Sequence, residues 1–190
     1  MSEIRNAELD DLETIRDLAY KIWPAAYEEI LGKAQLHYML EKIYSLSSLR
    51  NQFSVLKHHF IMVVEDDTPI GFASFSAQDD PSVYHLHKIY VLPDEQGKNV
   101  GKQLLDYIIS DIKAAGATSL QLNVNRFNKA LHFYEKQGFK ILREEDIDIG
   151  SGFFMNDYIM EKKIWWNSKT AIPVICLFTD ELKFRNTHAN

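Results

Sequence analysis

Apolar positions recur along this chain at two periods, and the switches between them mark out its elements. Residues 4–7 (Ile-Arg-Asn-Ala) predict a short first strand. Leu12, Ile15, Leu18, Ala19 and Ile22 then fall at helical spacing behind Asp10 and Asp11, whose charges suit a helix N-terminus. Pro24 predicts the end or a redirection of that helix. Helical spacing resumes from residue 25 to about 56 in two or three pieces, rich in large rings (Tyr27, Tyr38, Tyr44, Phe53). Residues 60–64 and 70–75 read as strands around a turn, hence a hairpin, and 83–92 as a longer third strand. Val100, Leu104, Ile108 and Ile112 repeat every four residues in a helix that Gly116 closes. A strand over 119–124 follows, then a helix capped by Asn128 and ended by Gly138, then strands over 139–144 and 153–162. The order β-α-α-β-β-β-α-β-α-β-β is mixed α/β without regular βαβ alternation, which argues against a doubly wound dinucleotide fold. Residues 165–190 stand apart: a strand-like run over 172–178 and a polar end leave an edge strand, a dimer arm or a poorly ordered extension all open.

Composition narrows the class. The 190 residues, 46% hydrophobic and 25% charged, suit one globular domain with a real core. A net charge of −6 disfavours a nucleic-acid partner. It would help attract a cationic amine, although solubility alone accounts for it. Cys176 is the only cysteine, so no disulfide forms within the chain, which fits a reducing compartment. Neither a signal-like apolar region nor a run near the ~20 residues needed to span a bilayer is present. A soluble cytoplasmic protein with no membrane partner is expected.

The segment from Val91 to Lys102 joins a strand to a helix through Gln96-Gly97-Lys98-Asn99-Val100-Gly101. Small or flexible residues there let backbone N–H groups at a helix N-terminus face a cavity, an arrangement that binds pyrophosphate, with Lys98 and Lys102 adding positive charge. A tight strand-to-helix turn without a ligand is the competing reading. The order is not that of a Walker A loop.

Ile89-Tyr90-Val91-x-Pro93 followed by Gln96-Gly97-Lys98-Asn99-Val100-Gly101 resembles the acetyl-CoA motif of GNAT acetyltransferases, whose pattern is Gln/Arg-x-x-Gly-x-Gly/Ala. Asn128-x-Ala130-x-x-Phe133-Tyr134-x-Lys136-x-Gly138-Phe139 resembles the family's second motif, and Ile4-Arg5-x-Ala7 its usual start. The resemblance spans about residues 3–164. It implies an acetyl-CoA-dependent N-acetyltransferase domain over 1–164, with residues 165–190 as an extension. The implied fold is a single mixed sheet with helices on both faces and splayed central strands. It also implies that Ile89, Tyr90 and Val91 pair with pantetheine, and that Asn123, Asn128 and Ala130 contribute to the cofactor site. One departure stands out: Asn99 occupies the place of the motif's first glycine. Asn visits left-handed backbone more readily than most residues.

Acetyl transfer to an alkyl amine has to deal with a proton. With a pKa of about 10.4, only about one amine in a thousand is neutral at pH 7. The resemblance places Tyr134 where a tyrosine protonates the departing sulfur; a core aromatic beside Phe133 is the other reading. Strand alternation puts His85, His87, Ile89 and Val91 on one face, and a histidine near pKa 6.5 suits a base acting directly or through water. A buried histidine pair and a metal site are the alternatives, the latter lacking further ligands in the neighbourhood. His58-His59 reads as an exposed turn. The run from His85 to Val91 resembles aralkylamine acetyltransferases, and Leu86-x-Lys88-Ile89-Tyr90 the polyamine-acetylating (PaiA-like) branch. A small amine or polyamine is therefore the first acceptor expected, with Tyr27, Tyr38 and Tyr44 as pocket or core rings. A protein N-terminus or lysine is the second acceptor class, and a non-catalytic acyl-CoA-binding protein the rival from outside enzymes. A homodimer is left open.

Overall fold

The structure is a computed structural model, and it describes residues 2–165. The expected reading of 165–190 therefore lies, Trp165 aside, outside the described residues. Seven strands form one sheet: β1 (Ser2–Asn6), β2 (His59–Glu65), β3 (Thr68–Ala77), β4 (Val83–Val91), β5 (Ser119–Asn125), β6 (Lys140–Gly150) and β7 (Phe153–Lys163), in spatial order β1-β2-β3-β4-β5-β7-β6. Every neighbouring pair is antiparallel except β4 and β5. The helices are α1 (Leu12–Tyr44), α2 (Leu46–Ser54), α3 (Val100–Ala114) and α4 (Ala130–Lys136).

The mixed α/β architecture read from the sequence is the one observed, with helices on both faces. On one face α3 and α4 cover Ile61, Val63, Ala73, Leu86, Leu120 and Leu122. On the other, α1 and α2 cover Phe60, Met62 and Phe72. These alternating strand residues feed two apolar layers. The hairpin between β2 and β3 turns through Asp66 and Asp67, both with positive φ.

Pro24 does not end the first helix. It sits inside α1, and the break comes at Gly32, whose φ of 73° and ψ of 161° are outside helical space. A proline costs one backbone donor, and burial of Ile15, Leu18, Ile22 and Trp23 on one stripe holds the helix through it. After Gly32 the chain turns toward the β6–β7 hairpin. There Tyr38 Oη donates to the Ile149 carbonyl at 2.7 Å and Gln35 Nε2 to the Phe154 carbonyl at 2.6 Å.

Candidate active site

Pairing between β4 and β5 stops at Leu86 opposite Leu122, although β4 runs to Val91 and β5 to Asn125. The strands part because each stays bound to its other neighbour: Val91 opposite Gly71 on β3, and Asn125 opposite Asp157 on β7. Gly71 permits the close approach of β3, since a Cβ there would lie 2.6 Å from the Tyr90 carbonyl oxygen. The Leu92 N–H donates to the Ile70 carbonyl. By alternation Tyr90 also bonds toward β3, and Ile89 and Val91 turn their N–H and C=O groups into the gap.

The gap opens into a cavity of about 710 Å³. Ile89, Tyr90, Val91, Asn123, Asn128, Ala130 and Tyr134 line it, with Gln96, Gly97, Asn99, Val100, Gly101 and Lys102 of the turn at one end. Asn99 adopts φ 65° and ψ 9°, the left-handed conformation its place in the motif requires, and its side chain makes no cap bond. The first α3 bond runs from Gln103 N–H to the Asn99 carbonyl, which leaves the N–H groups of Val100, Gly101 and Lys102 for an anion. Lys98 pairs with Glu95 at 2.9 Å and is not part of the cavity wall; Lys102 lines it and pairs with Asp106. An uncapped helix end, free strand edges and a long cavity between them fit an acyl pyrophosphate cofactor.

Asn128 caps: its Oδ1 accepts the Ala130 N–H at 2.8 Å and opens α4. That turn presents Tyr134, held edge-on by Phe133 and Phe139 with ring centroids 5.3 and 5.7 Å away. Burial raises the Tyr134 pKa well above the usual tyrosine value, so the phenol keeps its proton.

His87 lines the cavity and His85 does not, and neither shares a face with Ile89 and Val91. The β3–β4 register shifts between Ser74 and Phe75, which pair with Lys88 and Leu86, so His87 is an extra residue in a β-bulge. Leu86 packs toward α3, while Lys88, two residues on, meets Gln52, Tyr44 and Phe60 beneath α2. His87 Nε2 lies 2.8 Å from Ser76 Oγ, and its ring stacks on His58, with His85 centred 4.8 Å away. Burial, then the neighbouring His58, pulls the His87 pKa down to about 2, and burial pulls His58 down to about 4. His58 is thus not in an exposed turn; it completes the cluster. Lys88 is 6% exposed and its Nζ donates to Gln52 Oε1 at 2.6 Å. Burial lowers its pKa to about 7.

Of the three tyrosines expected at the acceptor, only Tyr27 reaches the cavity. Its hydroxyl lies 3.4 Å from that of Tyr90, and its ring 4.8 Å from Trp23. Tyr44 is fully buried against Trp23 and Phe72, and Tyr38 packs on Phe153. Sequence reasoning passed over Asp157. It is 5% exposed, and burial raises its pKa to about 6. The signal was available: Met155, Asp157 and Ile159 alternate on one face of β7, so an acid sits at an inward position.

The Acetyltransferase (GNAT) family model matches residues 12–139. A spermidine N(1)-acetyltransferase of Thermoplasma acidophilum is 32% identical over 166 residues, 85% of this chain and 96% of that protein. A peptidyl-lysine N-acetyltransferase of Escherichia coli is 33% identical over 90 residues, 47% of this chain and 54% of that one. Among solved structures, the PaiA N-acetyltransferase of Thermoplasma acidophilum in complex with coenzyme A superposes with a TM-score of 0.74 at 30% identity, covering 86% of this chain and 99% of that one. The split sheet, the uncapped α3 turn and these matches place the chain in the GNAT family of acetyl-CoA-dependent acetyltransferases.

Proposed function

We propose that this acetyltransferase acetylates a small primary amine, polyamines included, by direct attack within a ternary complex. The observation that carries this reading is the aromatic lining of the cavity at its α1 end, where Tyr27 and Tyr90 stand in the wall. Trp23 packs behind these two rings, with centroids 4.8 Å from Tyr27 and 5.9 Å from Tyr90, and away from the cavity the second half of α1 is tied to the β6–β7 hairpin through Tyr38, Gln35 and Lys42. A peptide substrate favours an open groove; an aromatic wall suits a short cation. The likeness to a spermidine acetyltransferase supports the same class.

Acetyl-CoA supplies the activated acetyl thioester. The α3 N-terminus with Gln96, Gly97 and Lys102 would hold its pyrophosphate, and the free edge at Ile89 and Val91 its pantetheine arm. An N–H of that edge would also face the thioester oxygen. Tyr134 Oη keeps its proton at neutral pH and would deliver it to the departing thiol. The acceptor enters as the free amine after its ammonium proton passes to solvent, and the proton shed by its nitrogen on amide formation restores the phenol. His87 is a poor base for the ammonium, because desolvation and its imidazole neighbours hold it neutral and its Nε2 is engaged by Ser76. His85 and His87 act in this reading as a packed neutral pair that shapes the bulge.

The test is to follow free thiol release with acetyl-CoA and a panel of spermidine, putrescine, tyramine and short peptides. The small amines should be turned over with kcat/KM at least tenfold above any peptide. A peptide preferred over every small amine would defeat the reading.

A further inference from the structure

The carboxylate of Asp157 is the one buried acid beside the gap among the described residues. It lies opposite Asn125 on β5 and opposite Glu145 on β6. Asn123 shares its face of the sheet two residues along β5 and is exposed in the cavity wall. Its carboxamide is near enough to Asp157 to offset part of the raising effect that burial has on the carboxylate's pKa. Asp157 Oδ1 itself has no hydrogen-bond partner. The Tyr27 hydroxyl, across the cavity on α1, feels the Asp157 charge. An acid buried behind a cavity wall with an oxygen unpaired costs stability.

We propose that Asn123 and Asp157 form the seat of the acceptor's ammonium: Asn123 Oδ1 accepts an ammonium N–H directly, and Asp157 is the positioning residue that orients the carboxamide and supplies the countercharge. The inference rests on the small-amine reading above and adds where the cation sits. No bond is made or broken at the seat; it holds an ammonium of the polyamine other than the reacting nitrogen, which attacks as the free amine, against the ring of Tyr27. The titratable and charged groups around Asp157 are Glu145 from β6, Arg126 at the end of β5 and Tyr27 from α1. Glu145 raises its pKa and Arg126 lowers it, with burial dominant, so Asp157 is ionised at neutral pH and loses its charge near pH 6. Arg126 is itself engaged by Glu144 and Asp146.

The experiment compares the full chain with Asp157→Asn and Asn123→Ala, using putrescine and spermidine as probes. Asp157→Asn should raise the amine KM at least tenfold, leave the acetyl-CoA Kd within twofold and hold or raise the melting temperature at pH 8. A residue with a merely structural role would lower the melting temperature instead. The fall in kcat/KM for the amine below about pH 6 should disappear in Asp157→Asn. Asn123→Ala, at an exposed position, keeps the test alive if the first variant folds poorly. It should raise the amine KM at least tenfold, with the acetyl-CoA Kd measured alongside because Asn123 also stands in the wall of the cofactor cavity, and the double variant should be little worse than the worse single one. Variants that leave the amine KM within twofold while the wild type turns the amines over would overturn the seat and spare the small-amine reading. A wild type inactive on every amine would overturn both.

Discussion

The imidazoles of His58 and His87 lie face to face, with centroids 3.8 Å apart and planes within 5° of each other, and among the described residues no carboxylate neutralises either one. The stack exists because the β4 bulge pushes His87 out of the alternation and onto the chain that enters β2.

Acid should therefore loosen this fold. Both histidines have folded-state pKa values below the ordinary 6.5. Above pH 6.5 neither state binds the proton, and the histidines carry no penalty. Below it the unfolded chain binds protons first, so stability falls as pH drops toward the depressed values. Asp157, with its pKa raised to about 6, works in the opposite sense: the native state gains stability as pH falls from 6 toward 4. Comparing wild type with His58→Phe isolates the histidine contribution. Urea denaturation at pH 7.5 and 5.0 should show a smaller acid loss in the variant; equal losses would mean that the stack is not titrating.

Lys88 carries the same logic on the alkaline side. Its folded pKa of about 7 lies below the unfolded value, so between pH 7 and 10 the unfolded chain holds more protons and stability rises with pH. Lys88→Met should abolish that rise. Gln52 should matter more than Lys88 itself: it accepts from Lys88 Nζ and also donates to the Ile43 carbonyl and Ser48 Oγ, clamping α1 to α2. Gln52→Leu strands a buried ammonium and a carbonyl, a loss of about 2–3 kcal/mol or more. A denaturation midpoint for Gln52→Leu at or above that of Lys88→Met would refute the clamp.

Asn99 separates the demands of backbone from those of side chain. Its left-handed φ of 65° is unforced for glycine and strained for β-branched residues. Since the amide makes no cap bond, Asn99→Gly should keep acetyl-CoA affinity within about twofold, and Asn99→Val should weaken it by about tenfold, or 1.4 kcal/mol. Calorimetry settles it. A tenfold loss in Asn99→Gly would mean that the carboxamide itself holds the cofactor.

The elements were legible because the apolar period switches cleanly between strands and helices, and the strand-to-helix turn before α3 because its residues sit together in sequence. What escaped was anything set by register. Alternation carried through residues 85–91 puts His87 with Ile89, and a single bulged residue reverses that. Pro24 looked like a helix end because its local effect is known, while tertiary burial of Ile22 and Trp23 is not visible locally. Asp157 and Lys88 were readable as lone charges at inward strand positions. Their partners on α1, α2 and β5 were not, since only the folded sheet brings them together.

In the proposed reaction Tyr134 is the proton donor to the leaving thiol. Its ring is fixed by Phe133 and Phe139 whether or not the hydroxyl is present, so Tyr134→Phe removes one oxygen from an otherwise unchanged wall. Burial raises its pKa, which keeps the proton in place across the neutral range and makes the group a donor and not a base. If it protonates the thiol as it leaves, the interaction is gained only in the transition state. The variant should then lose about 10²-fold or more in kcat, with the acetyl-CoA Kd unchanged within about twofold. The loss should shrink for an acyl donor whose leaving thiol has a lower pKa, since such a thiol needs less help. His87→Gln, by contrast, should leave the shape of the pH–rate profile unaltered above pH 5, because an imidazole with a pKa of about 2 does not titrate there. Stopped-flow thiol release across pH 5–9 for both variants distinguishes the roles. Full activity in Tyr134→Phe would remove it from the reaction, and an acidic limb that vanishes in His87→Gln would return the proton-accepting role to the histidine.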